Sequence, residues 1–315
     1  MNTNSYPKIS IITPSYNQGA YLEDTILSVL NQNYPNLEYI IIDGGSTDNS
    51  VEIIKQYQDQ FSYWVSEPDK GTWEANNKGL ERVTGDYWCV VNSDDLLCDD
   101  ALFSVAKLAM ENSSPWIASG IVYIDEHGNE FGRDMPKAPK PVAGLTFLNG
   151  AWISHPTVFL KKEMIMEVGL FEKHHLLDLN YWLRMEKAGY IPFIANAYFA
   201  KLRMHLDCKS ADQLKLHEEY LNVVKTFIQK HSINLNKDVK TLLKTKQHYG
   251  MRLAANESLV GKQRGKSLKL LFQLFGGAMG NRWYWGLWKR FIFGVNHTDP
   301  LNTSFDRSES NANWN

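Results

Sequence analysis

One alternation, repeated through the first hundred residues, constrains this chain more than any other feature. A short aliphatic, β-branched run meets a small polar or acidic stop, and a segment with helical spacing follows. Lys8–Thr13 ends at Pro14, and Ala20–Asn31 then places Leu22, Ile26, Val29 and Leu30 on one helical face. Asn33–Asn36 breaks that helix, and Leu37–Ile42 is long enough for a buried strand but too short for a typical helix. Ser46, Thr47 and Asp48 offer a helix N-cap ahead of Val51, Ile53, Ile54 and Tyr57. Phe61–Val65, Ala75–Val83 and Tyr87–Val91 continue as strand, helix and strand. Strands and helices at this spacing build βαβ units, so the expected fold class is α/β, with a mostly parallel sheet covered on both faces.

The pattern changes after about residue 100. Leu102–Met110 and Leu179–Lys187 read as helices, and Trp116–Ile124 and Trp152–Leu160 as strands. Met135–Pro141 is a proline-broken loop. No period is assigned between Gly189 and Ala211, and from Ala211 onward only helices are predicted. Residues 258–298 carry Lys262, Arg264, Lys266, Lys269, Arg282, Lys289 and Arg290 with no acidic residue, interleaved with Trp283, Tyr284, Trp285, Trp288, Phe291 and Phe293. That composition suits an anionic membrane surface; the alternative is a helix packed on the main domain with its lysines in water. The expected organisation is a domain over 1–210, a helical extension over 211–301 and a disordered tail over 302–315.

Composition removes several classes. The 315 residues carry a net charge of -2, so the chain as a whole is no nucleic-acid binder. Cys89, Cys98 and Cys208 form no CxxC pair, which argues against a zinc site or disulfide framework and for a reducing compartment. The polar N-terminus predicts no signal peptide, and no apolar run approaches the roughly 18 residues of a spanning helix.

In an open α/β sheet ligands bind beyond the carboxyl ends of the strands. Those ends carry Thr13–Asn17, Asp43–Asp48, Glu67–Gly71 and Asn92–Asp95. Neither GxGxxG nor GxxxxGK[ST] follows a strand, so dinucleotide and P-loop fingerprints are absent. The Asp94-Asp95 pair calls for a hard cation such as Mg²⁺ or Mn²⁺, held jointly with a diphosphate; helix capping is the structural alternative. Asp43 is either a turn residue or an acceptor for a nucleobase N–H. Tyr16 is either core or a stacking platform.

Thr13–Asn17, Asp43–Asp48 and Asn92–Asp95 resemble segments of family 2 glycosyltransferases with the GT-A fold. Pro68–Gly71 with Asn77–Gly79 is similar to the branch frequent in bacterial polysaccharide and lipopolysaccharide assembly. Gly169–Glu172 and Asp178–Arg184 resemble that family's acceptor-side segment, and Arg203–His205 its closing element. The resemblance covers roughly residues 7–210 and implies a Rossmann-like GT-A sheet with a C-terminal helical extension. It also implies that Pro14, Ser15 and Tyr16 line a nucleoside pocket, that Asp43 contacts the base, and that Asp69 and Asn77 shape the same pocket. Asn92-Ser93-Asp94 falls at the DxD motif, with Asn92 at the position that contacts ribose, Ser93 among the nucleotide-binding residues, Asp94 at the metal, and His205 at a further metal or diphosphate contact. Asp178 stands at the catalytic base. Two departures stand out: Asn92 replaces the first Asp of DxD, and Leu177 and Asn180 replace acidic neighbours of the base. The expected function is inverting transfer from a nucleotide-sugar donor, a UDP-sugar, to a glycan or lipid-linked acceptor. Mn²⁺ or Mg²⁺ is the cofactor, and the setting is cytoplasmic and peripheral at the inner membrane face. A sugar-nucleotide nucleotidyltransferase and a non-catalytic nucleotide-sugar-binding module are the competing readings. The first would normally need a basic glycine-rich loop where Thr13–Gly19 stands.

Overall fold

The structure, a computed structural model, describes residues 6–205, 212–260, 269–271, 273 and 287–289. It divides into two compact units, with Pro139–Gly144 grouped with the residues from Asp212 onward and the rest of the chain before them forming the first.

The first unit opens with four parallel strands in the order β3-β2-β1-β4: β1 (Ile9–Ser15), β2 (Leu37–Asp43), β3 (Tyr63–Ser66) and β4 (Tyr87–Val90). Helices α1 (Leu22–Leu30), α2 (Ser50–Gln56) and α3 (Thr72–Leu80) connect them. The sheet continues through β8 (Phe159–Lys161), β6 (Trp116–Ile124), β9 (Phe193–Arg203) and β5 (Leu96–Leu97), and β7 (Glu130–Asp134) pairs with β6. β8 runs antiparallel to both β4 and β6, and β6 is parallel to β9. Six of the nine strands therefore point the same way, with β5, β7 and β8 reversed. Helices α4 (Ala101–Asn112), α5 (Glu163–Val168) and α6 (Leu177–Lys187) complete the unit.

Side-chain alternation explains the layers. Ile9 and Ile11 of β1 join Leu22, Ile26 and Val29 of α1, Ile53 and Ile54 of α2, and Leu102 and Val105 of α4 in one buried cluster. Ile12 faces the other way, onto α3, where a Cβ at Gly79 would stand 2.4 Å from the isoleucine methyl. Glycine at that position is thus a requirement of helix–strand approach. On the same face Trp88 meets Phe171 and Tyr181 edge-on. Trp182, preferred as core from its place in the helix period, has no exposed surface.

The sheet contains a proline where its ladder opens. β1 pairs with β4 only as far as Ile12↔Val90, and the Val91 N–H donates to the Ile12 carbonyl. Pro14, two residues on, points toward the same neighbour and has no N–H to give. Ser15 turns the other way, and its carbonyl accepts from Gly44 N–H at 2.8 Å. β1 and β4 consequently part at their carboxyl ends. This is also where the strand order reverses, the position at which such sheets bind ligands.

At the opposite end of β1 and β2, Glu38 ties three segments together. Its side chain is 6% exposed and accepts from Lys8 Nζ at 2.7 Å, Ser10 Oγ at 2.6 Å, Thr84 N–H at 2.7 Å and the Thr84 hydroxyl. Burial pushes the carboxyl up, but these donors outweigh it and hold the group at about 2, below its ordinary 4.5. A depressed folded-state value stabilises the fold above the unfolded pKa and is lost as pH falls through the folded one. We expect Glu38→Gln to lower stability at pH 7 by about 2–3 kcal/mol. The deficit should shrink between about pH 4.5 and pH 2, as denaturant midpoints of both proteins across that range would record.

Four elements depart most from their expected bounds, the first being α3, which runs Thr72–Leu80, three residues ahead of the expected Ala75–Val83. Trp152–Leu160 is not one strand: His155–Thr157 forms a 3-10 turn, and β8 is left with Phe159–Lys161. Pro156 removes a ladder donor, and its fixed φ suits the turn. β9, eleven residues long, fills most of the stretch without an assigned period. The helix expected from an N-cap at Ser46–Asp48 begins at Ser50, whose N–H donates to Asp48 Oδ1 at 3.0 Å.

In the second unit α7 (Gln213–Lys230) and α8 (Lys237–Val260) form a helical hairpin. Tyr220, Val223, Val224 and Phe227 of α7, with Val239 and Leu242 of α8, are buried. No helix among the described residues is long and apolar enough to cross a membrane. The basic aromatic stretch 258–298 lies mostly outside the described residues, and the tail 302–315 entirely so.

Candidate active site

The loops after β1 and β2 are fastened to one another. Asn17, at φ 51°, accepts from Thr47 N–H at 2.8 Å through its side-chain oxygen, and its own N–H donates to Ser46 Oγ at 2.8 Å. Gly19 N–H donates to Asp48 Oδ2 at 2.9 Å. On this platform Tyr16 is 59% exposed, so of its two expected uses the core reading fails. Pro14 and Ser15 are buried just behind it, and the Ser15 hydroxyl has no partner.

Asp43, at the end of β2, is fully buried. Its carboxylate accepts from Gly45 N–H at 3.1 Å, Ser46 N–H at 2.9 Å, the Ser46 hydroxyl and Ser66 Oγ at 2.7 Å. In this state it organises the Gly44-Gly45-Ser46 turn. The turn needs its glycines: Gly45 has φ +80°, and a Cβ on Gly44 would lie 2.9 Å from Asp69 Oδ2. Asp69 thus reaches the same loop, and it holds Gly71 N–H at 2.7 Å. Asn77 is engaged elsewhere. Its side-chain amide donates to Phe171 O at 2.9 Å and accepts from Phe171 N–H at 2.9 Å, the pattern of a short strand pairing.

Beyond β4 the two adjacent aspartates separate. Asp95 is 3% exposed and turned inward, accepting from Asn92 Nδ2 at 3.0 Å and Arg203 N–H at 3.2 Å. Burial first, and the neighbouring Asp94 charge second, push its carboxyl well above the ordinary value. Asp94 faces the other way, with Oδ2 at 3.2 Å from His205 Nε2. The Asp94 side chain is 21% exposed and that of His205 3%. Ser93 between the aspartate and Asn92 is buried. Among the described residues no group of three or more His, Cys, Asp or Glu side chains gathers as a closed metal cage. A two-donor site fits a cation that takes its other ligands from a diphosphate and water.

Asp178 stands in the first turn of α6 and is half-buried. Arg184, two turns along that helix, donates to Val168 O at 2.6 Å, Leu170 O at 2.7 Å and Asn180 Oδ1 at 3.0 Å. Burial lowers its pKa from the ordinary arginine value, and Glu172 opposes that shift. The loop it grips continues into Phe171, held by Asn77. A run of hydrogen bonds therefore joins the helix bearing Asp178 to α3.

Residues 10–169 match the profile of the Glycosyl transferase family 2. The chain belongs to that family. Among curated proteins it is 31% identical over 216 residues to TuaG of Bacillus subtilis, named as a teichuronic acid biosynthesis glycosyltransferase, covering 68% of this chain and 85% of TuaG. EpsE of the same species, a glycosyltransferase by name, is 28% identical over 65% of this chain and 76% of its own. Among solved structures, S. aureus TarS 1-349 in complex with UDP-GlcNAc superposes with a TM-score of 0.54 at 14% identity, over 92% of this chain and 93% of that one. The mannosyltransferase PcManGT from Pyrobaculum calidifontis, in complex with GDP-Man and Mn²⁺, gives 0.54 at 16% identity, over 92% and 86%. At these identities the structures establish the fold, which is GT-A.

In this family 2 glycosyltransferase the structure brings Asn92, Ser93, Asp94 and His205 to one place, and gathers Asp43 and Asp69 around Gly44. Asn77 is joined to the Asp178 side of the unit. Sequence reasoning passed over Tyr21, Asp24 and the guanidinium of Arg203. The signal available was an arginine two residues before a candidate metal ligand, at the end of an aliphatic and aromatic run.

Proposed function

We propose that the chain is an inverting, metal-dependent glycosyltransferase of cell-surface polysaccharide assembly. It moves a sugar from a nucleoside diphosphate donor, a UDP-sugar, to a hydroxyl of a glycan or lipid-linked acceptor. The observation that carries this reading is the approach of Asp94 and His205 to 3.2 Å beyond the parted ends of β1 and β4. Family membership, the name of TuaG and the UDP-GlcNAc bound by TarS support it.

In this reading Pro14 and Ser15 form the floor of the nucleoside pocket, and the exposed Tyr16 ring stacks on the base. Asp43 receives the base edge, through the turn it orders or by exchanging one of its internal donors for the ligand. Asp69 braces that turn, and Asn92 and Ser93 border the ribose. Asn77 acts one step removed, by fixing the Phe171 loop. Asp94 and His205 would hold Mn²⁺ or Mg²⁺, which supplies charge neutralisation for the departing diphosphate. Asp178 accepts the proton of the acceptor hydroxyl as its oxygen attacks opposite the leaving group. Contact with an anionic inner membrane surface through 258–298 would bring the cleft to a lipid-linked acceptor, and deletion of 258–315 should then abolish vesicle binding.

The direct test is a thermal-shift series with nucleoside diphosphates and their sugars, with and without Mn²⁺. Ligand that binds only the native state raises its stability by about 2.7 kcal/mol at a hundredfold excess over Kd. UDP with Mn²⁺ is expected to raise the melting midpoint by several degrees, and UDP in EDTA by much less. No shift with any nucleotide would sink the reading.

A further inference from the structure

Arg203 ends β9, is 3% exposed, and divides its donors among the loop that carries Asp94, the turn after β6 and helix α1. Nε donates to the Asp94 carbonyl at 3.1 Å, Nη1 to the Glu126 carbonyl at 3.0 Å, and Nη2 to Asp24 Oδ2 at 2.9 Å. Its backbone N–H meets Asp95 Oδ1 at 3.2 Å. The guanidinium also lies 4.9 Å from the centre of the Tyr21 ring, and that ring lies 4.8 Å from the ring of His205. One side chain therefore touches the backbone of Asp94 directly and reaches His205 through a single intervening ring.

A buried guanidinium is costly unless its donors are satisfied. Here the ionic partner contributes little of that compensation, because Asp24 is 61% exposed and such pairs are weak. The two carbonyl contacts and the aromatic ring matter more; the Asp94 carbonyl and the Tyr21 ring bear on the Asp94–His205 pair, while the Glu126 carbonyl anchors the guanidinium to the turn after β6. A planar fork with fixed donor directions can hold two carbonyls and a carboxylate at once; a lysine ammonium cannot reproduce that geometry.

We infer that Arg203 is a positioning residue that, with Tyr21, aims Asp94 and His205 at one point and so presets the site for a divalent cation carrying a diphosphate. This rests on the metal–diphosphate reading above. Groups that orient metal ligands typically change metal affinity by about 10–100-fold when removed.

The experiment is calorimetric titration of the full chain with UDP at a series of Mn²⁺ concentrations. Arg203→Lys is expected to raise the Mn²⁺ concentration for half-maximal UDP binding by about 10-fold or more, and added Mn²⁺ should restore the lost affinity. Because the arginine is buried, Tyr21→Leu is the second variant: it should move the Mn²⁺ requirement the same way, and Tyr21→Phe, which keeps the ring, should recover most of it. An unchanged Mn²⁺ requirement in both Arg203→Lys and Tyr21→Leu overturns the inference. So does a loss of UDP affinity that Mn²⁺ does not restore, since general loosening of the loop would behave that way. A wild-type chain whose UDP binding ignores Mn²⁺ overturns the reading beneath it, and the inference with it.

Discussion

Asp178→Asn is expected to lower kcat by about 10²–10⁴-fold, the usual range for a removed general base, while UDP binding stays intact. Asparagine keeps the shape of the side chain and the helix turn but accepts no proton. The expectation is sharpened by sequence and packing together. Leu177 is buried and Asn180 is engaged with Arg184, so neither flanking position offers a substitute base. The check is sugar transfer and UDP titration on the same preparation. Transfer at the wild-type rate would remove Asp178 from the chemistry and direct attention to Glu172 or His174, which lie 3.7 Å apart in the preceding loop.

Asp94→Ala should act on the other half of the reaction. It takes away one of two donors and leaves His205 without its partner at 3.2 Å. With no third acidic or imidazole ligand among the described residues to compensate, Mn²⁺-dependent UDP affinity is expected to fall by at least about 100-fold. UDP binding measured with and without Mn²⁺ should then coincide. If Asp94→Ala still bound UDP more tightly with Mn²⁺, the cation would have to sit elsewhere, and the inward-turned Asp95 would be the first residue to substitute.

The parallel half of the sheet was legible because its signals are local. β1, β2, β4 and the helices between them follow from periods of two and 3.6 within windows of a dozen residues, and β6 fell on the residues expected. The other half depends on pairings far apart in sequence. β8 is three residues long and gains its place from β4 and β6, which no local pattern encodes. β9 runs beside β6 with two register irregularities, and its alternation is correspondingly blurred. At the site, residue type and position on a strand end were readable, but the direction of a side chain was not. Asp94 and Asp95 are identical in sequence terms, yet one faces His205 and the other is sealed against Asn92 and Arg203. Asp43 and Asn77 have chemistry suited to a ligand, and both are satisfied inside the fold, by partners 23 and 94 residues away among others.

Pro14 has a consequence for what binding disturbs. It withholds a donor where the β1–β4 pairing ends, so no ladder bond from that position joins the two strands. In the proposed nucleotide site, a ligand settling beside Tyr16 would have no β1–β4 ladder bond to displace at Pro14, so its binding is expected to leave the pairing of Ile9–Ile12 with Tyr87–Val90 unchanged.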